Sequence, residues 1–176
     1  MSTPRRRAVL NTLANLPVFT SAQRARLLRR AGVASGAGTQ FEQGFRVAGP
    51  STLHIGRDCY FGFNSFIDCE AEVTIGNGSG LAEGARIISS DHDILPPDAV
   101  RMTGPTKPNA VTIGNQVWIG AGATVLSGLH VADRCIIGAG AVLTRDTAPG
   151  GVYAGVPARR ISDVPNTFAN TSEPTP

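Results

Sequence analysis

The sequence predicts an all-β solenoid of short strands wound into stacked coils, and three features carry that expectation. Aliphatic residues recur at every sixth position through Ile113, Ile119, Val125, Val131, Ile137 and Leu143. A small or apolar residue lies four places after most of them, at Val117, Ala123, Leu129, Cys135, Ala141 and Thr147, so each six-residue unit has two inward positions. Three near-copies of one tetrapeptide punctuate the chain: Leu53-His54-Ile55-Gly56, Val73-Thr74-Ile75-Gly76 and Val111-Thr112-Ile113-Gly114. The same unit runs through Ile55, Phe61 and Ile67, and again through Ile75, Leu81 and Ile87, with a two-residue slip between the sets.

An α-helix cannot keep every sixth residue on one face, because six steps of about 100° rotate each successive residue by about 240°. Six is a multiple of the strand period of two, so short strands separated by regular corners fit. Glycine at the second position of the unit, as at Gly56, Gly76, Gly114, Gly120 and Gly138, suits a tight corner. Three such units close one triangular coil, and stacked coils bury a column of aliphatics that no single coil could bury alone.

The first forty-four residues read as a helical segment and connector. Ser21 is placed to cap a helix from Ala22 to about Ala31, with Gly32 past its end and Leu27, Leu28 and Ala31 as its buried stripe. Residues 8 to 16 suggest an earlier helix ended by Pro17. The solenoid is assigned to residues 45–161, and residues 162–176, with Pro165, Asn166, Asn170, Glu173, Pro174 and Pro176, have the composition of a disordered tail.

Composition narrows the function. A chain of 176 residues with 41% apolar content can bury a core without metal or disulfides. No apolar run approaches the roughly 20 residues needed to cross a membrane. Arg5, Arg6 and Arg7 precede a short apolar stretch that Asn11, Asn15 and Pro17 interrupt, so a secretory leader is not expected and a cytoplasmic location is. Cys59, Cys69 and Cys135 lack the close spacing of zinc or redox pairs and read as packing residues. The net charge of +3 is concentrated early, at Arg5, Arg6, Arg7, Arg24, Arg26, Arg29 and Arg30. Without interleaved aromatics or zinc-finger spacing this is expected to be a solvated basic face, not a nucleic-acid site.

The repeat breaks once. From Asp93 to Ala110 there is no aliphatic register and there are four prolines, Pro96, Pro97, Pro105 and Pro108. A long excursion inside a compact repeat is usually functional. It begins directly after Asp91-His92 and places an imidazole at its mouth.

With these features the chain resembles the hexapeptide-repeat acyltransferases over about residues 45 to 161. The resemblance implies a left-handed parallel β-helix with a short N-terminal helical segment and one long excursion loop; the handedness comes from the family, since spacing alone does not set it. Asn64, Val73-Thr74-Ile75-Gly76, His92, the long loop and Val111-Thr112-Ile113-Gly114-Asn115-Gln116-Val117-Trp118-Ile119-Gly120 are similar to the galactoside and maltose O-acetyltransferase branch. That branch implies acyl-coenzyme A, most simply acetyl-coenzyme A, as co-substrate, with a hydroxyl of a sugar or small metabolite as acceptor. His92 takes the place of its catalytic base. An alcohol of pKa about 16 is a poor nucleophile at neutral pH, and an imidazole of pKa about 6.5 can take its proton and return it to the departing thiolate.

The branch usually carries an acceptor-binding asparagine in an aromatic-small-Asn triplet. A gap-free match puts Gly62 there, and Asn64, two places on and on the same face if the segment is a strand, is the candidate substitute. Asp91 or Asp93 is expected to orient the imidazole, and Glu70 and Glu83 are further candidates for the pocket wall. Gly120-Ala121-Gly122-Ala123 and Gly138-Ala139-Gly140-Ala141 present small-residue edges along which a pantetheine arm could lie, although plain corner geometry also explains them. Trp118 either lines the donor channel, as the resemblance implies, or faces a subunit contact. In Leu143-Thr144-Arg145-Asp146 and Tyr153-Ala154-Gly155-Val156-Pro157-Ala158-Arg159-Arg160-Ile161, Arg145 and Arg159 match donor-binding positions, and Thr144 and Arg160 are further donor-binding candidates. Arg160 is an additional cation, and a later basic position of the galactoside enzymes falls on Ser162. Guanidinium groups suit nucleotide phosphates.

The family also implies a homotrimer with active sites between prisms. N-acyl transfer to an amino sugar is the alternative within the fold. A metal enzyme related to the carbonic anhydrases that share it is disfavoured: His54, His92 and His130 are evenly spaced, with no two close together on one coil, and no metal is expected. A non-catalytic relative is disfavoured by the retained histidine, loop, tryptophan and arginines.

Overall fold

The computed structural model describes residues 9, 12–94 and 103–165. Its strands form three parallel sheets, five-, seven- and five-stranded, one on each side of a triangular prism, plus a separate two-stranded ribbon. The first side stacks Ala34–Ser35, Leu53–Ile55, Val73–Ile75, Val111–Ile113 and His130–Val131. The second stacks Gln40–Phe41, Tyr60–Phe61, Gly80–Leu81, Trp118–Ile119, Ile136–Ile137 and Gly151–Ala154, and Arg159–Asp163 closes it as an antiparallel edge. The third stacks Arg46–Ala48, Phe66–Asp68, Arg86–Ile87, Thr124–Val125 and Val142–Leu143. The expected all-β solenoid is therefore present.

Register explains the spacing. Ile55, Ile75, Ile113 and Val131 are consecutive partners on the first side, Phe61, Leu81, Ile119, Ile137 and Tyr153 on the second, and Val47, Ile67, Ile87, Val125 and Leu143 on the third. All are buried. The sixth-residue pattern is thus three inward columns, and fully burying each aliphatic side chain contributes about 1.5–3 kcal/mol. Cys59 and Cys135 occupy the second inward position, and burial pushes the Cys59 thiol pKa up.

Several boundaries differ from expectation. The solenoid begins at Ala34, not at residue 45, because Gln40–Phe41 and Arg46–Ala48 already belong to its sheets. This coil escapes the aliphatic pattern because Phe41 and Phe45 fill it, and they pack on Phe61 of the next coil with ring centroids 4.9–5.0 Å apart. The helix spans Ser21–Arg30 and its cap is Thr20, not Ser21. Thr20 Oγ1 accepts from the Gln23 N–H, and Gln23 Oε1 accepts from the Thr20 N–H, a reciprocal box that Ser21 cannot make one residue later. At the other end, Ser162 and Asp163 lie in the closing strand rather than in a tail, and residues 166–176 are outside the described residues. The earlier helix is described only at Val9 and residues 12–14.

Arg24 does not belong to the solvated basic face. It is 4% exposed, and its guanidinium donates to the carbonyls of Ala14, Phe41 and Phe19 at 2.8, 3.0 and 3.2 Å, which clamps the N-terminal segment onto the first coil. The second-position glycines also serve differently from expectation. Positive φ falls two residues further on, as at Asp58, Gly78, Gln116 and Gly122. Gly76 and Gly120 are needed because a Cβ there would meet the next coil's backbone at 2.6 and 2.7 Å.

One corner carries a polar ladder. Asn77 Oδ1 accepts from the Arg57 N–H, Asn115 Oδ1 from the Asn77 N–H, and Asp133 Oδ1 from the Asn115 N–H, at 2.8, 3.0 and 2.7 Å. The bonds from Asn115, backbone first and side chain second, hold the Asp133 carboxyl below its ordinary pKa. Its stabilising contribution is therefore complete above the unfolded value of about 3.9 and is lost as pH falls through the lower folded value. Thermal melts of Asp133→Asn, which keeps the accepting oxygen, are expected to show a shallower fall of Tm below about pH 4 than the parent chain; an unchanged acid slope contradicts this assignment.

Candidate active site

The excursion leaves the prism where the third side turns toward the first, and its stem is ordered. Ser90–Ile94 pairs antiparallel with Thr103–Pro108, with a register shift between His92 and Ile94. The span expected as an irregular loop from Asp93 thus starts as a ribbon, and residues 95–102, including Pro96 and Pro97, lie outside the described residues.

His92 sits on this ribbon opposite Thr106, with its side chain exposed. Its Nδ1 lies 3.1 Å from the Gly104 carbonyl. A carbonyl only accepts, so this bond places the proton on Nδ1 and leaves the Nε2 lone pair outward. Neither expected acid touches the ring. Asp91 Oδ1 accepts from the His92 backbone N–H at 2.8 Å, and Asp93 pairs with Lys107 at 3.4 Å. Alternation along a strand sends the flanking side chains away from the imidazole, and a backbone carbonyl across the ribbon does the orienting.

Asn64 lies elsewhere. It is a corner residue with φ 57°, not part of a strand, so the same-face reasoning for it does not hold. Its corner follows Tyr60–Phe61, whereas His92 leaves the corner that follows Arg86–Ile87; within one chain the two are on different edges of the prism. Asn64 instead borders a cleft of about 570 Å³ with Asn15, Gln43, Gly44, Arg46 and Phe63. At Gly62 a Cβ would meet the Glu83 nitrogen at 2.8 Å, so the stacked coil leaves no room for a side chain at that position.

Along the edge on which Asn64 lies, the backbone beyond Asn64 is bare. Gly84, Gly122 and Gly140 all have positive φ, and a Cβ on any of them would meet nothing within 4 Å. Ala121 and Ala139 are exposed on the same edge, one coil apart. The N–H groups of Gly120, Gly122 and Gly140 already donate to Ile137, Glu83 and Ala121. A chain lying here would find carbonyl lone pairs in place of those N–H groups.

The second side displays a residue pair that sequence reading missed. Tyr60, Gly80 and Trp118 are register partners, and the Trp118 ring lies over Gly80, where a Cβ would meet it at 2.8 Å. Trp118, 42% exposed, faces Tyr60 with centroids 6.3 Å apart and planes 23° from parallel. Desolvation first, then the charges of Glu42 and Glu83, push the Tyr60 phenol pKa up. The missed signal was available: all three occupy the outward place just before an inward residue of stacked coils.

At the closing end, Thr144 and Arg145 are exposed after Val142–Leu143, and the Ala158 N–H donates to the Val142 carbonyl, so Arg159 emerges beside that strand. Arg160, expected to join Arg145 and Arg159 in binding the donor, is instead committed within the chain. It holds Asp163 Oδ1 through Nη2 and Nε at 2.7 and 3.1 Å, and donates to the carbonyls of Ala148 and Pro149 and toward the Tyr153 hydroxyl. Arg145 and Arg159 remain the candidates for phosphate. His54 and His130 lie on the first side, apart from His92, and no three of His, Cys, Asp and Glu gather at metal distance among the described residues. Among these residues no helix is long and apolar enough to cross a membrane.

Residues 110–145 match the bacterial transferase hexapeptide (six repeats) family. Nodulation protein L of Rhizobium meliloti is 36% identical over 146 residues, 82% of this chain and 79% of that protein. The chain belongs to the hexapeptide-repeat transferase family. Galactoside O-acetyltransferase of Escherichia coli is 36% identical over 114 residues, 65% of this chain; this hexapeptide-repeat transferase spans 55% of that enzyme's length. A solved galactoside acetyltransferase in complex with coenzyme A superimposes with a TM-score of 0.80 at 27% identity, covering 93% of this chain and 82% of that one.

Since neither Asp91 nor Asp93 touches the imidazole, Asp91→Asn and Asp93→Asn in this hexapeptide-repeat transferase should each leave kcat within about threefold of the parent. A loss of a hundredfold in steady-state turnover for either would restore an acid as the orienting group.

Proposed function

We propose that this chain transfers an acetyl or other short acyl group from acyl-coenzyme A to a hydroxyl of a sugar or small metabolite, with His92 as the base. The observation that carries the reading is the imidazole on the excursion ribbon, its Nδ1–H directed at the Gly104 carbonyl and its Nε2 free. Similarity to galactoside O-acetyltransferases, one of them solved with coenzyme A, supports the donor and acceptor classes.

In this reading Nε2 takes the acceptor hydroxyl proton as the oxygen attacks the thioester carbonyl. The tetrahedral adduct expels the thiolate, and the imidazolium returns the proton to sulfur. The products are an ester and free coenzyme A, with no acyl-enzyme and no metal. The pantetheine arm lies along the bare Gly84, Gly122 and Gly140 edge beside Ala121 and Ala139, Trp118 and Gly120 border it, and Thr144, Arg145 and Arg159 meet the nucleotide end. Asn64 stands at the start of that edge as the acceptor contact.

Because His92 and that edge belong to different corners of one prism, a complete site takes its base from one chain and its donor edge from another. A homotrimer satisfies this for all three chains. Sedimentation velocity is expected to give a trimer at assay concentration; a fully active monomer would sink the shared site.

His92→Ala is expected to lower kcat by about 10²–10⁴ with acetyl-coenzyme A and a galactoside acceptor. Coenzyme A affinity by calorimetry should change less than about twofold, since in the assembled site His92 faces the thiol end of the donor and not the nucleotide end at Arg145 and Arg159. Unchanged turnover rejects His92 as the base.

A further inference from the structure

We infer that Asp68 is a positioning residue for the His92 ribbon, an inference that rests on the functional reading above. On the third side Ala48 and Asp68 are register partners, and the Cys69 N–H donates to the Ala48 carbonyl at 2.8 Å as the chain turns the corner. One coil later the residue equivalent to Cys69 is Ser89, and here the winding stops. The Ser89 N–H donates to the Asp68 side chain, Oδ2, at 3.3 Å. A carboxylate has taken the place of the ladder carbonyl at the point where the chain departs.

The same oxygen accepts from Ser90 Oγ at 2.8 Å. Ser90 is the first residue of the ribbon strand that carries His92. Ser89 is fully buried, its Oγ accepts from the Ala71 N–H at 3.0 Å, and its carbonyl accepts from the Asn109 N–H at 2.7 Å as the chain returns. The exit and return of the excursion therefore meet at Ser89, and Asp68 fixes the exit to the prism.

Among the described residues, little beyond this root ties the ribbon to the prism. Residues 91–94 are exposed, and the Asp93–Lys107 pair has both side chains more than 60% exposed, a geometry that contributes little in water. Where the root stands decides where the imidazole stands relative to a thioester on a neighbouring prism. Misplacement by about 1 Å can cost about a hundredfold in rate without touching the donor site. The hydrogen bond, rather than the negative charge, is the required feature, because both donors are neutral.

The test compares Asp68→Ala, Asp68→Asn, Ser90→Ala and the Asp68→Ala/Ser90→Ala pair in the full chain. Amide hydrogen exchange in 90–94 and 103–108 should rise about tenfold in Asp68→Ala and Ser90→Ala, while the solenoid strands keep their protection. With acetyl-coenzyme A and methyl β-galactoside, kcat should fall about tenfold or more, with KM for acetyl-coenzyme A within about twofold and the midpoint of the pH profile unmoved. Asp68→Asn, which retains an accepting oxygen, should restore most of both readouts, and the pair should be no worse than Asp68→Ala.

Unchanged exchange and turnover in Asp68→Ala and Ser90→Ala overturn the inference. So does an Asp68→Asn chain as defective as Asp68→Ala, which would assign the effect to charge. Should Asp68→Ala not fold, Ser90→Ala removes the shorter of the two bonds to Asp68 from a half-buried residue and leaves the Ser89 bond in place. If His92→Ala keeps full turnover, the functional reading fails by itself, and the exchange measurement still decides whether Asp68 holds the ribbon.

Discussion

Consecutive coils lie so close that the backbone amide at each corner entry donates directly to the coil beyond: Gly56 to Ile75, Gly76 to Ile113, Gly114 to Val131 and Gly120 to Ile137, all at 2.7–2.8 Å. This spacing dictates most of what the sequence must contain. Where coils touch there is no space for a Cβ, hence glycine at the second position of the unit. Where they stack, one inward column per side is filled by large side chains, hence an aliphatic at every sixth residue. At a polar corner the side chain must itself act as a ladder rung, as Asn77, Asn115 and Asp133 do. No coil is stable by itself, because its strands bond to neighbouring coils and much of its surface is buried against them.

The same constraint decides where chemistry can occur. A backbone already committed to its ladder offers few free donors, and inward side chains are sealed in the core. Reactive groups must stand on outward positions, on bare corner edges, or where the winding is broken. The proposed site draws on each of these places: Trp118 on an outer face, the Gly84, Gly122 and Gly140 edge, and His92 on the excursion. A break in the ladder costs paired backbone groups, and the buried Ser89, with bonds to Asp68, Ala71 and Asn109, repairs that cost at the root.

What was legible in the sequence follows from how local each signal is. The inward columns repeat every six residues and depend only on side-chain volume, so they could be read from Ile55 to Leu143. The first coil could not, because Phe41 and Phe45 fill it in place of the aliphatic run. His92 was visible as the residue at the break. Its orienting partner was not, since Gly104 acts through a carbonyl that every residue owns and reaches the ring only once the ribbon pairs. Asn64 was read as strand, whereas left-handed backbone at a corner is what its short polar side chain tolerates there. The Tyr60 and Trp118 pair is readable only by stacking three coils across the excursion, since Gly80 lies between the two rings.

The choice of a carbonyl to orient the imidazole bears on the proposed transfer. A carboxylate at Nδ1 would stabilise the imidazolium and favour proton abstraction, yet it would also oppose the return of that proton to the thiolate. A neutral carbonyl fixes the tautomer without adding charge, so the two half-reactions are treated more evenly. A thiolate is a good leaving group and needs only a modest acid, whereas the hydroxyl needs its base held in line with the attack. Geometry rather than basicity is then the quantity the protein must supply. Among the described residues the structure beneath His92 is the ribbon and the root from which it rises, so in the proposed transfer control of that geometry falls to residues that do not touch the substrate.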